Sequence, residues 1–185
     1  MQDHRDLTAR SSDLFDKRVS IEMIEAVGHQ YYDTFLRKCS ELLKPDGTLL
    51  LQTITIADQR YESAKRSVDF VQRYIFPGSC IPSVTALGDS LTRASDIRWF
   101  HLEDIGPHYA LTLWRWRENF CASLIQVRAL NYPESFIRMW AFYLCYCDAR
   151  FIKRVIGGVQ MLPVKPTAWS APLLPASNRS TYAPA

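Results

Sequence analysis

The side chains of this sequence best suited to metal ligation or nucleophilic attack are five cysteines, Cys39, Cys80, Cys121, Cys145 and Cys147, and four histidines, His4, His29, His101 and His108. No two cysteines form a CxxC pair and no histidines fall at HExxH spacing, so no structural zinc is expected. An odd count leaves one thiol over if the rest pair, and reduced thiols in a cytoplasm fit best. Asn178, Arg179 and Ser180 spell a glycosylation sequon. The start MQDHRDLTARSSDLF carries charges where a secretory signal needs an apolar run, so the sequon reads as chance. A different chemistry is offered by the aromatic series Trp114, Trp116, Phe120, Trp140, Phe142, Tyr143 and Tyr146, because ring faces steady cations. Helical spacing produces the same pattern in an ordinary core, and both readings stand.

The elements that must position such groups follow from pattern. A chain of 185 residues with 48% apolar content can bury a real core. The formal charge of +3 is small and spread along the chain, without the clustered basic footprint of a nucleic-acid binder. No run approaches the ~20 apolar residues a spanning helix needs.

KRVSIEM, Lys17 to Met23, has the β-branched, period-two character of a strand. Tyr32, Phe35, Leu36, Cys39, Leu42 and Leu43 fall at helical spacing, and Pro45 with Gly47 stops that helix. TLLLQTITI, Thr48 to Ile56, is a near-continuous apolar run, as in a parallel strand covered on both faces. SVDFVQRYIF is a weaker helix ending in the loop PGSCIPS, and Ser83 caps a helix through Leu91. IRWFHLEDI is a further strand. Two long helices follow, from about Tyr109 to Leu130 with Leu113, Trp116, Phe120, Leu124 and Val127 on one stripe, and from Glu134 towards Phe151. VQMLPVK is the last strand, and residues 167–185 form a flexible Pro, Ser and Ala-rich tail after a domain of residues 1–166. Alternating strands and helices predict an α/β fold with a mostly parallel sheet and ligands beyond its carboxyl ends.

Five blocks, SIEMIEAVGHQYYDTF, ELLKPDGTLLLQTITI, QRYIFPGSCIPS, HLEDIGPHYALTLWRWRENF and FIRMWAFYLCYCDARF, resemble in order the cyclopropane-fatty-acid and mycolic-acid cyclopropane synthases. The resemblance runs from Gln2 to about Lys165. It implies the Rossmann-like class I methyltransferase fold, S-adenosylmethionine as cofactor, and addition of its methyl carbon across a cis double bond of a phospholipid acyl chain. It also implies that the chain corresponds to the carboxy-terminal part of such an enzyme, with a partial sheet lacking the first strands and the glycine-rich loop. None of the seven glycines stands in a GxGxxG arrangement.

Carried over residue by residue, the resemblance gives Asp3, His4 and Ile21 to the cofactor, and Glu25, Ile54 and Tyr109 to a pocket for a bicarbonate ion acting as base. Glu25 falls just past a strand's carboxyl end, where a carboxylate orients an ion or serves the helix dipole. Tyr109 offers a hydroxyl donor and a ring face, or simple packing. Ile54 would contribute its backbone amide. Gln52 departs from those relatives that have histidine there, and an amide cannot titrate near neutral pH. Cys147 matches a family cysteine and also suits a packed core. Arg73, Lys65 and Arg66 would meet lipid phosphate or form a solvated helix face. The aromatic series would line the acyl channel.

The partners implied are phospholipid acyl chains at a membrane surface reached from the cytoplasm, no nucleic acid, and either a second copy or a complementing amino-terminal fragment. With KRVSIEM at an open sheet edge, the isolated chain is expected to associate. Two alternatives remain: a non-catalytic lipid- or partner-binding remnant, and a methyltransferase acting on another acceptor.

Overall fold

A computed structural model describes residues 14–168. Asp3, His4 and the tail from residue 169 onward lie outside the described residues. Four strands, β1 (Phe15–Ile21), β2 (Leu43–Ile56), β3 (Arg98–Asp104) and β4 (Ile156–Val164), form a sheet in the order β1-β2-β4-β3. β1 pairs with β2 in parallel, whereas β4 runs antiparallel to both β2 and β3.

The expected mostly parallel sheet is therefore a mixed one, and the helix count explains it. Between β3 and β4 the chain makes two long helices, α6 (Gly106–Ala122) and α8 (Glu134–Ile152), joined through the short α7 (Leu124–Ala129). Two opposed helices return the chain to the sheet end it left, so β4 has to start beside the carboxyl end of β3 and run backwards. β1, β2 and β3 still point the same way, and their carboxyl ends share one side of the molecule.

Sequence boundaries shift where single residues break the pattern. β1 ends at Ile21 because Glu22 adopts a positive φ of 52°, which no strand residue holds. Pro45 and Gly47, expected to precede β2, lie inside it. Phe15 pairs with Leu43 and Lys17 with Thr48, so the residues between Leu43 and Thr48 form a bulge that removes the proline from the ladder. The expected helix from Tyr109 to Leu130 is broken at Ser123, and Trp116 on its supposed buried stripe is 54% exposed. α3 (Asp58–Lys65) has no buried residue and hence no apolar period to read. It is followed by α4 (Phe70–Tyr74), where Asp69 and Gln72 complete a reciprocal cap, and by α5 (Val84–Ala94), whose Ser83 Oγ accepts the Ala86 amide as the spacing predicts.

The side chains of β2 alternate. Leu49 and Leu51 join Phe35, Leu36 and Cys39 of α2 (Tyr32–Glu41) and Leu87 and Leu91 of α5 in the larger core. Ile54 faces the opposite layer, where Leu113 of α6 and Leu144 and Phe151 of α8 pack with Ile156. The result is three layers, with the sheet between two helical ones. No helix among the described residues is long and apolar enough to cross a membrane.

Candidate functional site

The short α1 (Ile24–Val27) begins immediately after β1 and swings Glu25 over the end of β2. β1 stops pairing where the Glu22 amide donates to the Gln52 carbonyl at 3.0 Å. Beyond that point the Ile54 N–H has no strand to donate to. The Glu25 carboxylate takes that place: its Oε1 accepts the Ile54 amide at 2.6 Å and the Thr53 hydroxyl at 2.6 Å. Its Oε2 is buried and has no hydrogen-bond partner among the described residues. Burial raises the Glu25 carboxyl above its ordinary value, against the lowering effect of its hydrogen bonds.

Tyr109 reaches the same place from the first turn of α6, which starts directly after β3 with Pro107 near its head. Its ring stacks on Phe151 with centroids 5.0 Å apart. On the other side it lies against Gly158, where a Cβ would sit 3.0 Å from two ring carbons. The hydroxyl donates to Glu22 Oε1 and accepts from Gln52 Nε2 at 3.0 Å. Burial, followed by the Glu22 carboxylate, pushes the phenol pKa up, so the hydroxyl keeps its proton. Gln52 also donates to Glu22 Oε1 at 3.2 Å, and its own carbonyl accepts Gln160 Nε2 at 2.7 Å.

The structure thus brings together Glu25, Gln52, Ile54 and Tyr109, and places Ile21, exposed at the end of β1, opposite Gln52 in the register. It changes one detail, since the Ile54 amide is given to Glu25. Sequence reasoning missed Glu22 and Gln160. Glu22 was hidden inside the expected strand KRVSIEM, and its spacing three residues before Glu25 was the one signal for it. Gln160 had none, because its role depends on β4 running backwards beside β2.

The other candidates separate. Cys147 is half-buried in the α6–α8 layer, and burial pushes its thiol up to about 11. That suits packing rather than nucleophilic work. Trp140 and Tyr143 pack in the same layer with ring centroids 5.1 Å apart, whereas Trp114, Trp116 and Phe142 are exposed. Tyr146 lies beside Arg150 and Asp69, an ion pair of 2.6 Å lining a separate cavity of about 120 Å³. Lys65 and Arg66 pair with Glu62 on their own helix, and Arg73 lies over the Tyr74 ring. Among the described residues no three His, Cys, Asp or Glu side chains are grouped to hold a metal.

This arrangement offers one unpartnered acceptor oxygen, Glu25 Oε2, beside a fixed array of amide and phenol groups at the carboxyl ends of three parallel strands. Such an array is suited to orienting a small hydrogen-bonding ligand.

Comparison with known proteins bears on which ligand. The family model described as mycolic acid cyclopropane synthetase matches residues 1–161. Cyclopropane-fatty-acyl-phospholipid synthase of Escherichia coli strain K12 is 37% identical over 157 residues, covering 84% of this chain and 38% of that protein. Tuberculostearic acid methyltransferase UfaA1 of Mycobacterium tuberculosis is 35% identical over 149 residues, covering 80% of this chain and 34% of that one. The chain spans well under half the length of either relative. Mycolic acid cyclopropane synthase CmaA1, solved with SAH and CTAB, superposes with a TM-score of 0.74 at 30% identity, over 83% of this chain and 56% of that chain. The fold is that of the Rossmann-like class I methyltransferases. By the match of its sequence over residues 1–161 and by its fold, the chain belongs to the mycolic acid cyclopropane synthetase family.

Proposed function

We propose that this chain carries the base-holding and acyl-facing part of an enzyme that adds a methylene across a cis double bond of a phospholipid acyl chain. S-adenosylmethionine, when bound, supplies the electrophilic methyl. Asp3, His4 and Ile21 are the proposed contacts to it. The observation that carries the reading is Glu25, with one carboxylate oxygen saturated by Thr53 and Ile54 and the other buried without a partner among the described residues. A buried acceptor without a donor is costly unless it is protonated or meets a ligand O–H. Bicarbonate fits that donor set, since its hydroxyl would satisfy Glu25 Oε2.

The roles follow from the bonds. Glu25 orients the ion, and the Ile54 amide holds Glu25. Tyr109 remains protonated and faces the site with a ring edge and a hydroxyl. Gln52 cannot act as a base and serves as a donor to Tyr109 and Glu22. The half-buried rings of Trp140 and Tyr143 in the layer behind Tyr109 border the acyl chain. Phospholipid as substrate rests on the name of the Escherichia coli relative, and work at the cytoplasmic membrane surface follows from that substrate.

The test is a reaction of the purified protein with S-adenosylmethionine labelled in its methyl group and vesicles of phospholipid bearing monounsaturated chains. Gas chromatography with mass spectrometry of the released acyl chains should show labelled cyclopropane. A methyl branch, as in the tuberculostearic product named for the second relative, would move the reading to a methyltransferase on the same lipid class. No label, with vesicles still bound, would replace it with a lipid-binding remnant.

A further inference from the structure

Ring closure of the kind proposed above expels one proton per turnover, and a base enclosed in the site has to be cleared of it. The structure contains a path outward that runs from Tyr109 to two residues the sequence reading did not assign, Glu22 and Gln160. Tyr109, half-buried, donates its hydroxyl to Oε1 of Glu22, and Glu22 is exposed. The carboxylate cannot drift from this position easily. Its backbone amide is tied to the Gln52 carbonyl at 3.0 Å, and the Gln52 side chain holds the same Oε1 at 3.2 Å. Gln52 is in turn fixed, because Gln160 donates to its carbonyl at 2.7 Å and so forces its NH₂ towards Tyr109 and Glu22. Two further titratable groups face this pair: Glu25 acts through space on Tyr109 and feels Glu22, and Tyr143 feels Glu22.

We propose that Glu22 is the proton outlet of the site, working through Tyr109, and that Gln160 is the positioning residue that sets the Gln52 amide for this relay. The inference rests on the reading above. Tyr109 passes its hydroxyl proton to Glu22 Oε1 while accepting one on the same oxygen from the site side. Glu22 then releases the proton to water. One proton leaves, and both residues end as they began.

Two measurements test it. In the vesicle reaction, Glu22→Gln should lower kcat about tenfold or more while leaving KM for lipid unchanged, with a larger solvent deuterium isotope effect on kcat. Glu22→Asp should recover part of the rate, and Gln160→Leu should lower kcat at constant KM. Independently of turnover, protein labelled at the ζ carbon of tyrosine should show the Tyr109 resonance, assigned by its loss in Tyr109→Phe, titrating at lower pH in Glu22→Gln. An active wild type with unchanged kcat and isotope effect in Glu22→Gln would overturn the relay. If the wild type transfers no label, the functional reading above fails, and the carbon resonance decides here: an unmoved Tyr109 titration shows the two groups uncoupled and ends the proposal.

Discussion

Glu25 and Ile54, 29 residues apart, are joined by a 2.6 Å hydrogen bond from the Ile54 amide to the Glu25 carboxylate. The bond replaces a rung of the sheet at the point where β1 has ended. The residue proposed to hold the catalytic ion is thus also the residue that closes the ladder, and the two duties can be told apart by measurement. Glu25→Ala leaves the Ile54 amide without its acceptor, whereas the Thr53 hydroxyl keeps the Ile54 carbonyl at 2.9 Å. A buried donor so orphaned costs about 1–3 kcal/mol. At roughly 2–4 °C per kcal/mol for a chain of this size, the loss in Tm is readable by calorimetry. An unchanged Tm would show that the carboxylate contributes nothing to the fold.

The same carboxylate predicts a pH dependence whose sign is fixed by burial. Glu25 has its folded pKa raised above the ordinary 4.5, so the native state holds the proton more tightly than the unfolded chain. Its contribution to stability is full below that ordinary value and is lost as pH rises through the folded pKa. Urea melts of wild type and Glu25→Gln across this window should converge in the acid range and diverge above it, with the wild type losing more stability as pH rises. Parallel curves would show that the fold does not raise the Glu25 carboxyl above its ordinary value.

These relationships were only partly written in the chain. The strand character of KRVSIEM and TLLLQTITI, the Ser83 cap and the helix of Glu134–Ile152 rest on local pattern, and the structure has them within a few residues. The direction of β4 was not legible, because it depends on how many long helices fit between β3 and β4 rather than on any residue in VQMLPVK. The break at Ser123 was missed for a related reason, since apolar spacing continues through it from Phe120 to Leu124. Of the site, Glu25, Gln52, Ile54 and Tyr109 came from the resemblance, and composition alone singles out none of them. Glu22 was hidden by the assumption that β1 continues to Met23. Its positive φ turns what would be a strand residue into the partner of Tyr109.

Gly158 is the position where backbone packing and chemistry are least separable. A methyl group there would sit 3.0 Å from Cδ2 and Cε2 of Tyr109, tighter than nine in ten real Cβ contacts, so the ring would have to give by a few tenths of an ångström. Phe151, stacked behind the ring, leaves it no room to retreat. Gly158→Ala should destabilise by about 1–3 kcal/mol through overpacking. It should also separate Tyr109 from Gln52, so activity in the vesicle assay should fall further than stability explains. Full activity in Gly158→Ala would mean that the position of the Tyr109 ring is not critical.

At the opposite side of the sheet from β3, β1 has one neighbour among the described residues, and its side chains Phe15, Val19 and Ile21 are half or more exposed. An unpaired edge offers its amides and carbonyls to any other strand, and apolar side chains on it favour that pairing. The purified chain should therefore elute from a sizing column as an associated species whose proportion rises with concentration. Val19, 62% exposed and paired in the register with Leu50 rather than with a residue of the site, is where a charge interferes with association. Val19→Lys should shift the distribution towards the monomer without lowering the thermal midpoint by more than about 1 °C, as expected for a surface change. A wild type that elutes as a monomer at every concentration would mean that this edge is already covered, and the association expected from the strand would be withdrawn.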